Sequence, residues 1–224
     1  TLVIAGDVPD DIDAIVERYF GSFPASTRPT RPTPVAPPPA PVRERIVDRF
    51  AALGRIHRVW LGPPSGTVDE ASLDVLTASW SSAGTGALWR RLVYETQLAQ
   101  RVSAWSTNGR LGGEIHVAVD LKTGADPDRV RAILDEECAR GVDERSINRA
   151  VTRREAGTIW SLSGIVSRMK TIQRGMLYSE TPDDLANELA RYRAVTVSTI
   201  EGVIARWLSP AAMIEIETVP ATKS

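Results

Sequence analysis

The sequence predicts an α+β domain, with helices packed on one face of a mainly antiparallel sheet, and three observations carry that reading. Strand-like runs lie at Val42–Phe50 and Arg55–Leu61, and Met213-Ile214-Glu215-Ile216 alternates as a closing strand. Asn108-Gly109 joins Gln100–Thr107 to Glu114–Leu121 as a hairpin. Most of the remainder follows a helical period, and at 42% hydrophobic residues the 224-residue chain can fill an ordinary core.

Taken in order, Leu2-Val3-Ile4-Ala5 reads as a short buried strand that runs into Gly6-Asp7-Val8-Pro9, so the chain is expected to begin in the middle of a larger protein. Asp10 or Asp11 caps a helix carrying Ile12, Ile15, Val16, Tyr19 and Phe20, and Gly21 stops it. Eight of the 15 prolines then fall between Pro24 and Pro41. Proline fixes φ and removes donors, so this stretch is extended, either as a spacer or as a strap on the surface. The composition divides the chain into residues 1–23, the linker 24–41 and residues 42–224.

Beyond the two strands, Asp69 or Ser72 opens a helix with Leu73, Leu76 and Trp80 on one face. Ser81–Gly86 is a turn, and Ala87 to about Leu98 returns to helix with Leu88, Leu92 and Val93 inward. After the hairpin, Asp126-Pro127 starts a helix bearing Val130, Ile133, Leu134 and Cys138, which Gly141 ends. Asp143 starts a long helix towards Tyr178, broken at Gly157 or at Ser161–Gly164. Thr181-Pro182 opens another through Leu189, and Thr196 or Ser198 caps one through Trp207 before Pro210.

Composition removes several functions. With 27 basic and 28 acidic residues the net charge is −1, which gives no footprint for a phosphate backbone, so no nucleic-acid partner is expected. No apolar run approaches the ~20 residues of a bilayer helix. One cysteine excludes an internal disulfide framework, and two histidines, His57 and His116, lie too far apart in sequence for a zinc-binding helix. Hence no metal ligand and no catalytic residue is assigned to this segment.

The single features have plain readings. Gly84-Thr85-Gly86 lacks the glycine, lysine and hydroxyl of a phosphate loop, since Ala87-Leu88-Trp89 follows. His116 alternates with Glu114, Ala118 and Asp120 on the more polar side of its strand. A histidine–carboxylate pair there could act as a base, but no nucleophile is near in sequence, and a partly solvated histidine is the simpler reading. His57, between Arg55 and Arg58, is read the same way. Cys138 reads as a core thiol, the clusters 43–45 and 153–155 as solvated charge, and the six tryptophans as packing anchors.

Two stretches point further. Leu2–Val8 followed by Ile15–Pro24, and the later run Gly86–Trp105, together resemble insulinase/pitrilysin-type zinc metallopeptidases, at the junction between their halves and in a motif of their second half. Thr196–Pro210 followed by a strand is similar to the family's ending. The resemblance implies two similar halves enclosing a chamber, with zinc held by an inverted His-x-x-Glu-His helix in the first half. That motif is missing here, so zinc is expected in an upstream half or a partner, and this segment is expected to be the inactive second half.

In the family the second half lends an arginine and a tyrosine to the substrate. By the Leu92 and Leu98-Ala99 register those positions are Val93 and Gln100, which lack the guanidinium and the phenol. The implied role is a chamber wall that binds extended peptide, with the upstream half or a homologous subunit as partner. A non-catalytic scaffold subunit is the alternative. The bacterial branch of the family makes the periplasm the expected compartment.

Overall fold

The computed structural model describes residues 2–27, 30, 32–34 and 36–221. Helix α1 (Ile12–Phe20) comes first, then strands β1 (Val42–Asp48) and β2 (Arg55–Gly62), and helix α2 (Val68–Ser81). A short α3 (Ala87–Trp89) widens into a π-helical turn, Arg90–Glu95. The hairpin strands β3 (Ala99–Asn108) and β4 (Gly113–Leu121) follow. Helices α4 (Pro127–Arg140), α5 (Glu144–Ser161), α6 (Ile165–Tyr178), α7 (Leu185–Arg193) and α8 (Val197–Trp207) lead to the closing strand β5 (Ile214–Pro220).

The sheet runs β1-β5-β2-β4-β3. Only β1 with β5 is parallel; the other three pairings are antiparallel. Alternation sends Ile56, Arg58 and Trp60 of β2, and Ile115, Val117, Val119 and Leu121 of β4, to the helix side. There they meet Leu73, Leu76 and Trp80 of α2, Val130, Ile133 and Leu134 of α4, and Ile200 and Val203 of α8 in one core. The predicted fold class therefore stands, with helices on one face of a mainly antiparallel sheet.

Caps explain where the helices begin. The Thr67 hydroxyl accepts from the Glu70 N–H at 3.2 Å, and the Asp126 carboxylate accepts from the Asp128 N–H at 2.9 Å, just ahead of Pro127. Thr196 and Thr199 form a reciprocal capping pair at α8. Gly141 ends α4 at a φ of +76°, a conformation that favours glycine. The long helical pattern from Asp143 breaks at Ser161–Gly164 and runs unbroken through Gly157.

Several local expectations are corrected. Residues 2–5 form no strand, and Leu2 and Ile4 are exposed, because no neighbouring strand pairs with them. The helix expected from Ala87 to Leu98 stops at Glu95. The Thr96 N–H and hydroxyl both bond to the Arg91 carbonyl, at 2.9 and 2.7 Å, and Gln97 turns left-handed at φ +55°. The helix expected at Pro182 starts at Leu185, and the closing strand extends to Pro220 rather than ending at Ile216. Arg154 is not solvated charge, since its guanidinium lies 4.7 Å from the Tyr192 ring centre and bonds to Glu188 at 3.1 Å. Trp160 is no packing anchor and stands 80% exposed.

Charge is also buried beneath the sheet. Arg58 and Glu215 are each 1% exposed and bond at 2.7 Å. Arg131 of α4 reaches the other Glu215 oxygen at 2.6 Å and Glu217 at 2.7 Å, while Asp135 takes a second Arg58 nitrogen at 2.7 Å. Burial alone would push the Glu215 carboxyl up, but bonds from Arg131 and Arg58 hold it below the ordinary carboxylate range. Glu215→Ala leaves Arg58 buried without its main partner, so a loss of about 3–5 kcal/mol is expected in urea unfolding. Because the native value is depressed, the stabilisation is full above about pH 4.3 and is lost as pH falls through the native value. The variant's acid-side unfolding curve should be correspondingly flatter.

Candidate functional site

The other face of the sheet carries no helix, and register fixes what it presents. Arg55, His57, Val59 and Leu61 of β2 stand opposite Asp120, Ala118, His116 and Glu114 of β4. Those in turn oppose Arg101, Ser103, Trp105 and Thr107 of β3. On the other flank His57 faces Ile216 and Val59 faces Ile214 of β5. Side chains on this face are therefore mixed, with an aromatic centre and ionic ends.

Strand pairing brings together the two histidines that the sequence separates. His57 Nε2 lies 3.2 Å from His116 Nδ1, and His116 Nε2 lies 3.1 Å from a Glu114 oxygen. With Glu114 accepting from His116 Nε2–H, the free Nδ1 accepts from His57 Nε2–H, which makes one consistent relay. The Trp105 ring stacks on His116, with centroids 4.7 Å apart and planes 10° apart. His116 is only 9% exposed, so the expectation of a partly solvated histidine is corrected for this residue. At the lower edge Arg55 and Arg101 clamp the two Asp120 oxygens at 2.6 and 2.8 Å.

Trp105 is the residue that sequence reasoning passed over. The predicted hairpin boundaries already set Thr107 opposite Glu114, and the same register sets Trp105 opposite His116. Arg58 faces the core because it is one residue out of phase with His57.

Val93 lies in the π-helical turn, packed against the core, and Gln100 is exposed on β3 at a bulge between Ala99 and Arg101. Of the cations near Val93, Arg90 pairs with Glu95 at 3.3 Å, and Arg91 pairs with Glu136 and Glu137, each at 2.7 Å. Tyr94 is exposed. Cys138 is buried, and burial pushes its thiol up to about 12, so it is neither nucleophile nor ligand at neutral pH. At the hairpin end of the sheet a cleft of about 780 Å³ lies between Pro32, Pro34 and Pro37 and the side chains of Leu61, Leu111 and Trp207. Arg28, Pro29, Arg31 and Val35 of the proline-rich stretch, and Lys223 near the end, lie outside the described residues.

Chemically, this face can bind and can hold a proton in its relay. Among the described residues no three His, Cys, Asp or Glu side chains cluster as metal ligands, and no helix is long and apolar enough to cross a membrane. Burial lowers the His57 value, with the neighbouring His116 and Arg55 adding to the effect and Glu114 opposing it. A depressed histidine costs the fold stability as pH falls below about 6.5, where the unfolded chain takes the proton more readily. NMR titration should place the His57 midpoint below 6.5, and His57→Gln should remove part of the stability loss between pH 7 and 5.

Comparison with known proteins places this geometry. No curated protein matches the chain. A protease from Helicobacter pylori has the same fold, with a TM-score of 0.82 at 13% identity over 96% of this chain and 54% of its own. A peptidase M16 inactive domain from Pseudomonas fluorescens gives 0.77 at 16% identity, over 96% and 51%. The periplasmic protease PqqL from Escherichia coli gives 0.68 at 14% identity, over 95% and 24%. The chain thus spans about half the length of the first two structures. The family described as the peptidase M16 inactive domain matches residues 1–154, and with most of its length matched, the chain belongs to that family.

Proposed function

We propose that this chain is the non-catalytic half of an insulinase/pitrilysin-type zinc peptidase, forming the chamber wall that receives extended peptide. The observation that carries the reading is membership of a family described as inactive, over residues 1–154. Zinc belongs to another half, upstream or on a homologous subunit, and no residue of this chain is assigned as its ligand. In this reading residues 1–23 are the last element of the preceding half, 24–41 the linker and 42–224 the second half. Two features support the division: α1 buries no side chain, and every strand of the sheet lies beyond Pro41.

The sheet's helix-free face is the surface offered to peptide. A peptide lying across a sheet face is held through side-chain contacts, since the backbone groups of the inner strands are already paired, and a face centred on Trp105, His57, Val59 and Ile216 suits such contacts. Val93 and Gln100 stand where the family arginine and tyrosine stand, so substrate charge is steadied from elsewhere, with a second subunit as the proposed source. The periplasm is the proposed compartment, supported by the location in PqqL's description.

The test is reconstitution with the zinc-bearing half. Zinc-dependent peptide cleavage by the pair, abolished by a chelator, is the expected result, with none from the 224-residue chain alone. Gln100→Ala should change kcat/KM of the pair less than about threefold, because an amide there replaces no transition-state contact. Cleavage by the isolated chain sinks the proposal. Stable association without cleavage replaces it with the scaffold reading.

A further inference from the structure

Helix α6 is oriented against the usual rule for a surface helix, which turns its apolar stripe inward. Its only buried residue is Gly175. The row facing the body is small or polar, made of Ser167, Thr171, Gly175 and Tyr178, and Arg174 beside it bonds to Glu70 at 2.9 Å. A side chain at position 175 would run into the Thr181 carbonyl, so the helix backbone sits hard against the chain there. The opposite face is mostly apolar and exposed, with Ile165 at 45%, Val166 at 56%, Ile172 at 40%, Met176 at 38% and Leu177 at 41%, around a half-buried Met169 and an exposed Gln173. Ile159 and Trp160 at the end of α5 extend the patch, at 58% and 80%. Exposed apolar patches of this kind mark surfaces that another body covers.

Charge narrows the choice of that body. Between Glu155 and Glu180 there is no acidic residue, while Arg168, Lys170 and Arg174 flank the apolar row. Only Arg174 of the three pairs with an acid among the described residues. A second copy of α6 would set cations against cations, so self-pairing through this face is disfavoured. The length of the related structures supplies a different occupant, since the chain covers 54% and 51% of the first two and each contains as much protein again.

We infer that the outward face of α6, with Ile159 and Trp160, is the seat on which the zinc-bearing half docks. The inference rests on the two-half reading above and adds to it the surface and its chemistry. The partner surface is apolar at its centre, with acidic groups at the rim opposite Arg168 and Lys170. Until it docks, α6 is held to the body mainly by Gly175 and the Arg174–Glu70 bond.

A single introduced thiol tests this, because the native Cys138 is buried and unreactive. Met176→Cys is labelled with a maleimide in the 224-residue chain and in the parent carrying both halves, any upstream cysteines being replaced. At least tenfold slower labelling in the parent is expected, while Glu201→Cys, on the exposed side of α8, labels equally in both. Adding Ile172→Glu should restore fast labelling in the parent without changing its circular dichroism. Equal labelling of Met176→Cys in the two preparations overturns the inference. So does protection that comes only from phosphatidylcholine/phosphatidylglycerol vesicles, which would make the face a membrane contact. Zinc-dependent cleavage is measured on the same samples. Cleavage without protection sinks only this inference, and protection without cleavage sinks only the peptidase reading.

Discussion

A carboxylate that is 1% exposed must be matched by cations or it will not stay charged, and Glu215 is matched by two, Arg58 and Arg131. This constraint organises the sheet. Strand β5 is last in sequence yet lies between β1 and β2, so β1 joins the sheet only through it. Glu215 and Glu217 point to the helix side, where Arg131 bonds to both and ties α4 to the last strand. Replacing such a cluster by matched apolar side chains can be neutral, whereas removing one member is costly. Its value here is in specifying which strand sits where.

With α2, α4 and α8 packed on the charged side, the opposite face is left as a platform. The relay from His57 through His116 to Glu114, with Trp105 stacked on it, keeps that platform locally ordered without any element above it. At its flank β1 ends the sheet, and its exposed Arg43, Glu44 and Arg45 guard the open edge against strand addition. The apolar row on α6 lies on a helix that the core barely engages. Two surfaces of different chemistry are thus left uncovered among the described residues, a mixed sheet face and an apolar, cation-rimmed helix, and they are the two for which partners are proposed.

Much of this was legible because it is local. Period two found the strands of the sheet, period 3.6 found the helices, and Asp126 and Thr196 mark helix starts by chemistry readable within four residues, whereas α2 begins from Thr67, ahead of the expected Asp69 or Ser72. Hairpin register was readable as well, so Trp105 opposite His116 followed from the boundaries already drawn. The histidine contact was not readable, because it needs β2 beside β4, a pairing across 59 residues. The partner of Arg58 was not readable for a related reason. Phase alone turns it inward, but its acceptor on β5 is 157 residues away. The π-helical turn was hidden too, since it arises from Thr96 competing for the Arg91 carbonyl rather than from any propensity.

The helix-free face carries little uncompensated charge, which bears on how the proposed chamber wall would select its ligand. The Asp120 charge is neutralised by Arg55 and Arg101, and both bonds hold it below the ordinary carboxylate range against the opposing effect of burial. His57 is shifted towards its neutral form by burial, with His116 and Arg55 adding to the effect, and Val93 and Gln100, the proposed positions of the family arginine and tyrosine, carry no charge. A face so arranged exerts little Coulombic pull, and the net charge of −1 over these 224 residues adds little to it. In the proposed role as a chamber wall, recognition would then rest on shallow contacts with the aromatic centre, which discriminate by shape more than by charge.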